Sequence, residues 1–214
     1  MASRRLAILE TAQALLSQDD GQFTMRDLAK KSGVATGTLY NLYGSQDALI
    51  ADAVADIFER RVVGLTSMPA EQSLVSEITS RQQAAFHEIM REPLFAKKMV
   101  ELYFSSEPGS RVREMLHAIP TESTIGQLER IRALGDLHRW VDIERLANHM
   151  TRANYAAVSS WAAEELTNEE FNDEILYVTY VNLLGALKGA TYEQVREALS
   201  HLEKATQEPT KAQR

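Results

Sequence analysis

The chain has 214 residues, of which 44% are hydrophobic and 25% are charged, so it is long and apolar enough to bury a substantial core. It contains no cysteine, which excludes disulfides, thiolate catalysis and cysteine-ligated zinc. No apolar run reaches membrane-spanning length, and Glu10, Gln13 and Gln18 interrupt the apolar residues near the start, which argues against a signal peptide. We therefore expect a cytoplasmic protein.

The first predicted helix carries one apolar stripe, which is the pattern of a helix packed against a core. The stripe consists of Ile8, Leu9, Ala12, Leu15 and Leu16. A turn is expected at residues 19–21, after which Phe23 packs beneath the next helix. Thr24 opens that helix, and Thr24 and Asp27 have the spacing of a capping box.

The second helix is short and is followed by another short helix. Leu28 and Ala29 supply its buried face. The run Ser32-Gly33-Val34 ends the helix, because glycine adopts the left-handed conformation needed just past a helix end. The following helix starts at once, with Thr36 or Thr38 near its N-cap. This arrangement predicts a helix-turn-helix.

The third helix has Leu39 as its one strongly apolar position. Six other residues of the helix are small, polar or aromatic, so burial alone stabilises the helix little and its exposed face suits recognition. They are Thr36, Gly37, Thr38, Tyr40, Asn41 and Tyr43. In a helix-turn-helix, the second helix lies in the DNA major groove and flanking hydroxyls, amides and tyrosines bind phosphates. The alternative is a helical hairpin whose polar face is only solvated.

The run GVATGTLYNLYGSQDALI, preceded by a cap threonine, resembles the TetR family of bacterial transcriptional regulators over roughly residues 4–55. The resemblance implies a DNA-binding domain and a homodimer. Two departures bear on DNA contacts: Leu42 stands where the family often has histidine, and Gln46 stands where it usually has a phosphate-binding lysine. Gln46 still lies in the first turn of a helix, where free N–H groups attract phosphate.

We predict DNA contacts from the basic start of the chain and from the helix-turn-helix. The residues are Arg4, Arg5, Thr24, Arg26, Thr36, Gly37, Thr38, Tyr40, Asn41, Tyr43 and Gln46. The net charge of −7 opposes DNA binding, but residues 1–50 carry equal numbers of acidic and basic side chains, so the acidic excess lies in the rest of the chain. Arg4 and Arg5 could enter a minor groove or form a solvated tail.

The remainder is predicted to be helical, with no strand and no repeat. Ser45 caps a link helix over residues 46–64, and Pro69 marks a domain boundary. Later helix breaks are expected at residues 91–93, 105–109, 119–121, 134–136 and 167. Two long helices are expected near residues 142–165 and 168–187, followed by a last helix that Thr191 and Gln194 would cap. The tail 208–214 is expected to be frayed.

The two long helices are predicted to form the dimer, because each is apolar on more than one face, and Gly185 and Gly189 would permit close approach. An intramolecular core is the alternative. A pocket for a small organic molecule is expected among aromatic, methionine and polar residues, although such residues are more often ordinary core. The candidates are Phe86, His87, Met90, Met99, Tyr103, His149, Asn154, Trp161 and Tyr177.

Catalytic motifs are few. Glu114 and His117 have the spacing of a di-iron ligand pair, but such sites need the pair twice and it occurs once. We predict no enzyme activity, cofactor or metal.

The sequence thus predicts an all-α fold: an N-terminal three-helix helix-turn-helix DNA-binding domain at residues 1–50 and a larger helical ligand-binding and dimerisation domain at residues 65–207. The expected function is a ligand-responsive repressor that binds a pseudo-palindromic operator as a dimer, in the cytoplasm and associated with the nucleoid. Two alternatives remain: a helical-bundle carrier or enzyme with a structural helix-turn-helix, and an adaptor that acts through protein contacts.

Overall fold

The computed structural model describes residues 2–18, 22–66, 73–105 and 110–207. This part of the chain forms helices without a strand, and one isolated antiparallel bridge joins Leu137 to Leu187. No helix in it is long and apolar enough to cross a membrane. The helices are α1 (Ala2–Leu16), α2 (Met25–Ser32), α3 (Thr36–Tyr43), α4 (Gln46–Thr66), α5 (Leu74–Arg91), α6 (Pro93–Ser105), α7 (Arg111–Ala133), α8 (Ile143–Ala162), α9 (Asn168–Leu184) and α10 (Gly189–Gln207).

The chain divides into two compact units. The N-terminal unit comprises residues 1–69 and 85–119, and the C-terminal unit comprises residues 70–84 and 120–214. The first division lies close to the boundary expected near Pro69. Residues 85–119 group with the helix-turn-helix in the N-terminal unit.

In the N-terminal unit, α1 packs against α2 and α4. The apolar stripe predicted for α1 is confirmed, since all five of its members are buried. Polar contacts add to this packing: Gln13 Nε2 donates to the carbonyl of Ala53 at 3.1 Å and to Asp56 Oδ2 at 3.0 Å. α1 and α4 therefore form the frame on which the two short helices rest.

The C-terminal unit has its own apolar core, to which α8, α9 and α10 contribute together with parts of α5 and α7. Each long helix begins with a side-chain cap. Asp142 accepts a hydrogen bond from the Arg145 N–H, and Thr167 and Glu170 form a capping box at the start of α9. The two long helices expected from the sequence are thus present with bounds shifted by only a few residues.

The helix break predicted at residues 119–121 is wrong, because α7 continues through Pro120. Proline inside a helix removes a backbone hydrogen bond and costs about 3 kcal/mol. The helix nevertheless buries Leu116 before the proline and Thr121 and Leu128 after it. Burying one leucine contributes roughly 1.5–3 kcal/mol, so the continuous helix is favoured.

The capping box predicted at Thr191 and Gln194 is also wrong. α10 begins two residues earlier, at Gly189, and the backbone N–H and hydroxyl of Thr191 both donate to Asp136 Oδ2, at 2.9 Å and 2.7 Å. These bonds lower the pKa of the Asp136 carboxyl. The cap of α10 therefore comes from the turn before α8, which no local pattern in the sequence reveals.

Gly189 has a steric role in this cap. Its φ is +64°, and a Cβ at this position would collide with Asp136 Oδ1. We expect Gly189→Ala to lower the free energy of unfolding by more than about 1 kcal/mol. Gly126→Ala is the control, since Gly126 lies in α7 with open space around it. In this variant the free energy of unfolding should rise by about 0.5–1 kcal/mol. Chemical denaturation measures the free energy of unfolding of both variants. Equal changes in the two variants would contradict the role of Gly189 in the cap.

The Asp136 cap also makes stability depend on pH. Because folding lowers the pKa of this carboxyl from its ordinary value of 3.8, ionised Asp136 stabilises the fold above that pH. The contribution is lost as the pH falls toward the lower pKa of the folded state. We expect the difference in unfolding free energy between wild type and Asp136→Asn to be constant from pH 7 to 5 and to shrink below about pH 4. A difference that grows on acidification would contradict this assignment.

Candidate functional site

α2 starts and ends as the sequence predicts. The Thr24 hydroxyl accepts from the Asp27 N–H at 3.2 Å, and Asp27 Oδ2 accepts from the Thr24 N–H at 2.9 Å, which completes the capping box. At the other end, Gly33 adopts the left-handed conformation with φ +67°. Leu28 is completely buried beneath the turn. These local constraints fix the angle at which α3 leaves the turn.

α3 lacks the side-chain cap predicted at its start. Its N-cap residue is Ala35, no side chain bonds to the free N–H groups there, and Thr36 is already the first helical residue. The Thr38 N–H donates to the Ala35 carbonyl at 2.9 Å. Uncapped N–H groups at a helix start carry partial positive charge, so this end of α3 suits the approach of an anion such as a DNA phosphate.

The two faces of α3 differ in chemistry. Leu39 is fully buried and Tyr43 is 9% exposed, so these two residues anchor the helix. On the outward side, Tyr40 and Leu42 are about half exposed, and Gly37 and Asn41 are exposed as well. None of the eight residues of α3 is charged. This outward face can therefore bind through hydroxyl, amide and apolar groups.

Arg5, a predicted DNA contact, pairs with a residue of its own unit. Its Nη2 lies 2.7 Å from Asp52 Oδ2 on α4, and this hydrogen bond raises the pKa of Arg5. Its guanidinium carbon also lies 5.9 Å from the centre of the Tyr43 ring. The Arg5 side chain remains 60% exposed, so the pair contributes at most about 1 kcal/mol and the guanidinium can still be approached. Arg4 is exposed.

Tyr43 and Gln46 are less accessible than the sequence suggests. Burial raises the pKa of Tyr43, and its hydroxyl has no hydrogen-bond partner among the described residues. Gln46 Nε2 donates to the carbonyl of Phe23, which ties the start of α4 to the segment before α2. The predicted cap at Ser45 is confirmed, because its hydroxyl accepts from the Ala48 N–H at 3.1 Å.

The predicted DNA contacts thus fall into two groups. Arg26, Gly37, Tyr40 and Asn41 are exposed, and Thr36 and Thr38 are partly so. The polar groups of Thr24, Arg5 and Gln46 bond within the unit, and Tyr43 is buried. Sequence reasoning did not detect the partner of Arg5, because Asp52 is 47 residues away and belongs to no motif.

Five of the predicted ligand residues lie in the N-terminal unit. Met99 and Tyr103 are buried, and the Tyr103 hydroxyl is 2.9 Å from His117 Nδ1. Phe86 and Met90 are half-buried, and His87 is exposed with its ring 5.8 Å from that of Phe86. The Tyr103 hydroxyl is therefore already hydrogen-bonded within the protein.

The other four ligand candidates lie in the C-terminal unit and occupy different faces of α8 and α9. Trp161 is buried, stacks on Phe171 and donates to Asn168 Oδ1. Asn154 has a buried Oδ1 without a hydrogen-bond partner in the described part of the chain. His149 is exposed and Tyr177 is 40% exposed. Only Asn154 therefore offers an unoccupied buried polar atom.

The described part of the chain brings no metal ligands together. Among the described residues, no three His, Asp or Glu side chains are grouped so that they could hold a metal ion. His117 bonds to Tyr103, and Glu114, its partner in the predicted ligand spacing, is exposed.

A capped helix, a left-handed turn and an anchored helix with an uncharged outward face define a helix-turn-helix DNA-binding protein. Residues 8–53 match the sequence model described as bacterial regulatory proteins, tetR family. This segment of the chain therefore has the sequence of the family's DNA-binding domain, and the chain is a DNA-binding transcriptional regulator.

Relatives and solved structures extend the similarity beyond the matched segment. The HTH-type transcriptional repressor KstR of Rhodococcus jostii (strain RHA1) is 28% identical over 171 residues, which cover 72% of this chain and 76% of that protein. The crystal structure of Thermus thermophilus FadR, a TetR-family repressor in complex with lauroyl-CoA, has a TM-score of 0.71, 19% identity and coverage of 86% of this chain and 96% of that one. The crystal structure of RolR in complex with resorcinol has a TM-score of 0.70 and 13% identity, and the match covers 93% of this chain and 94% of that one. The two structures are similar to this chain in fold.

Proposed function

We propose that this protein is a dimeric repressor that binds a pseudo-palindromic operator and is released from it by a small organic molecule. It would act in the cytoplasm, on the nucleoid. The observation that carries the proposal is the outward face of α3, where Gly37, Tyr40 and Asn41 are exposed while Leu39 anchors the helix. An uncharged amide and hydroxyl face on a rigid helix suits base edges and phosphates in a major groove.

The dimer gives this short helix its affinity. One α3 offers few contacts, whereas two copies about 34 Å apart meet successive major grooves on one face of the duplex. We assign the dimer contacts to α8 and α9, whose outward residues include Tyr177 and Val181, which are 40% and 43% exposed. Large apolar side chains left this exposed are typical of an interface.

The choice of repressor over activator follows the relative KstR, which is named a repressor. FadR and RolR are described in complex with lauroyl-CoA and resorcinol, two molecules of different size and polarity. We therefore propose an organic effector for this chain without assigning its class. Such an effector must bind the DNA-incompetent arrangement more tightly, and a coupling of about 1–3 kcal/mol would weaken operator binding roughly 5- to 150-fold.

The test is fluorescence anisotropy of the purified protein with DNA from immediately upstream of its gene, across a salt series. We expect saturable binding of one dimer per site, with affinity that falls as salt rises because phosphate contacts release counterions. Binding that is equal for unrelated DNA of the same length would contradict the proposal. Retained chromophore or turnover, with no DNA binding, would favour the carrier or enzyme alternative.

A further inference from the structure

Asn41 occupies the outermost position of α3. The two residues that anchor this helix, Leu39 and Tyr43, lie one turn apart and define its buried side. At 3.6 residues per turn, Asn41 lies about 180° around the helix axis from the midpoint between them. Its side chain is exposed, and its amide makes no hydrogen bond within the described residues. One carbonyl acceptor and one NH2 donor group therefore point away from the protein together.

Gly37 lies one turn before Asn41 on the same outward side of α3. It is exposed, its φ is not positive, and a Cβ at this position would meet no atom of the described chain within 4 Å. Glycine is less favourable than alanine inside a helix, and here neither packing nor backbone conformation requires it. Without a side chain at this position, however, the backbone of α3 can approach a bound molecule closely.

The sides that flank Gly37 and Asn41 carry no charge. One flank consists of Thr36 and Tyr40. The other consists of Thr38 and Leu42. No residue of α3 is charged. Arginine and lysine are the side chains that most often recognise guanine, through its O6 and N7 atoms, so α3 has no such group.

We propose that Asn41 recognises an adenine in each half-site of the operator, and that Gly37 lets α3 come close enough for this contact. In the major groove, adenine presents N7 as an acceptor and the N6 amino group as a donor. The Asn41 NH2 group donates to N7 while its carbonyl accepts from N6. This inference rests on the proposed operator binding and specifies the base that the outermost side chain of α3 selects.

The other three bases leave part of the Asn41 amide unpaired. Guanine offers two acceptors, so the amide carbonyl finds no donor there. Cytosine offers one donor and thymine one oxygen acceptor, so each satisfies half of the amide. A polar group that loses its water without gaining a hydrogen bond weakens binding. Because asparagine is short, the two-bond contact also requires the helix backbone to lie close to the base, which Gly37 permits.

Selection of binding sites from random-sequence DNA by the full-length protein tests the recognised base. Wild type should yield half-sites that share an adenine at one fixed position. Asn41→Ala should lose the preference at that position alone, and Asn41→Arg should change it from adenine to guanine. Leu42→Arg is the matched control, because it adds the same charge to the flank of α3. It should strengthen binding to all DNA without changing the preferred base.

Fluorescence anisotropy with the selected site measures the size of the effect. Replacement of the adenine pair by G·C in both half-sites should weaken wild-type binding by at least about tenfold. The same replacement should change the affinity of Asn41→Ala by less than about twofold, because that variant has no amide to leave unpaired.

Gly37→Ala tests the close approach separately. Its methyl group would stand between the helix backbone and the bases, so affinity should fall at least about tenfold, while the melting temperature should not fall. Gly126→Ala is the control, since Gly126 is a helical glycine with equal open space that lies on α7. Its affinity should equal that of wild type. Circular dichroism confirms that each variant is folded.

The outcomes separate this inference from the function on which it rests. A wild-type half-site without a preferred adenine, or an unchanged preference in Asn41→Ala, would overturn the role of Asn41 and leave operator binding intact. Equal affinities of Gly37→Ala and Gly126→Ala would overturn the close approach. If wild type enriched no sequence at all, the proposed operator binding would be overturned as well.

Discussion

Leu39→Ala is expected to lower the free energy of unfolding by about 2–5 kcal/mol, the cost of truncating a fully buried leucine. Leu39 is 0% exposed and is the main apolar anchor of α3. α3 spans only eight residues and has no side-chain cap at its start, so little else holds it in place. We expect urea denaturation to show this loss together with a loss of DNA binding.

Leu42→Ala is the matched control, because Leu42 lies three residues further along the same helix and is 52% exposed. Substitution of an exposed leucine should change the free energy of unfolding by no more than about 0.5 kcal/mol. Equal losses in the two variants would show that α3 is not anchored through Leu39.

Tyr40→Ala is expected to weaken operator binding by at least about tenfold while leaving the dimer and the melting temperature unchanged. The Tyr40 side chain makes no hydrogen bond within the described residues, and Tyr40 is 51% exposed, so removal of the side chain costs the fold little. A dimer loses the contact twice, and each hydrogen bond contributes about 0.5–1.5 kcal/mol. Anisotropy with the operator measures the loss, and Tyr40→Phe separates the contribution of the hydroxyl from that of the ring.

Phe104→Ala controls for the removal of an exposed aromatic ring from the same unit. Phe104 lies on α6 and is also 51% exposed. Operator affinity should not change in this variant. If Tyr40→Ala binds the operator as tightly as Phe104→Ala does, α3 is not the recognition helix.

The features that the sequence predicts well are those whose partners lie within a few residues. Two of these features are caps that join residues three positions apart, at Thr24 with Asp27 and at Ser45. The third is the left-handed conformation of a single residue, Gly33. The apolar stripe of α1 follows from helical spacing in the same way. These local signals are enough to predict nearly all of the helix-turn-helix.

The features that the sequence did not predict depend on distant partners. Asp136 caps α10 across 55 residues, and Asp52 pairs with Arg5 across 47. Proline at position 120 indicated a break, but burial on both sides of it in α7 outweighs the lost hydrogen bond. Tertiary packing therefore overrides local propensity at these positions.

The candidate sites differ in the same way. Exposure of Tyr40 and Asn41 agrees with the predicted outward face of α3, because the two buried residues, Leu39 and Tyr43, lie four residues apart on one face of this eight-residue helix. The ligand candidates were chosen by residue type alone, and residue type does not determine whether a side chain points into the protein or toward solvent. His149 and Asn154 lie on the same helix, yet one is exposed and the other has a buried oxygen.

The most direct test of the central claim changes the DNA and leaves the protein intact. Once an operator has been found, five base pairs are inserted between its half-sites, which rotates one half-site by about half a helical turn relative to the other. If two recognition helices of one dimer bind two half-sites on one face of the duplex, affinity should fall to that of a single half-site. Unchanged affinity for the operator with the insertion would contradict the account.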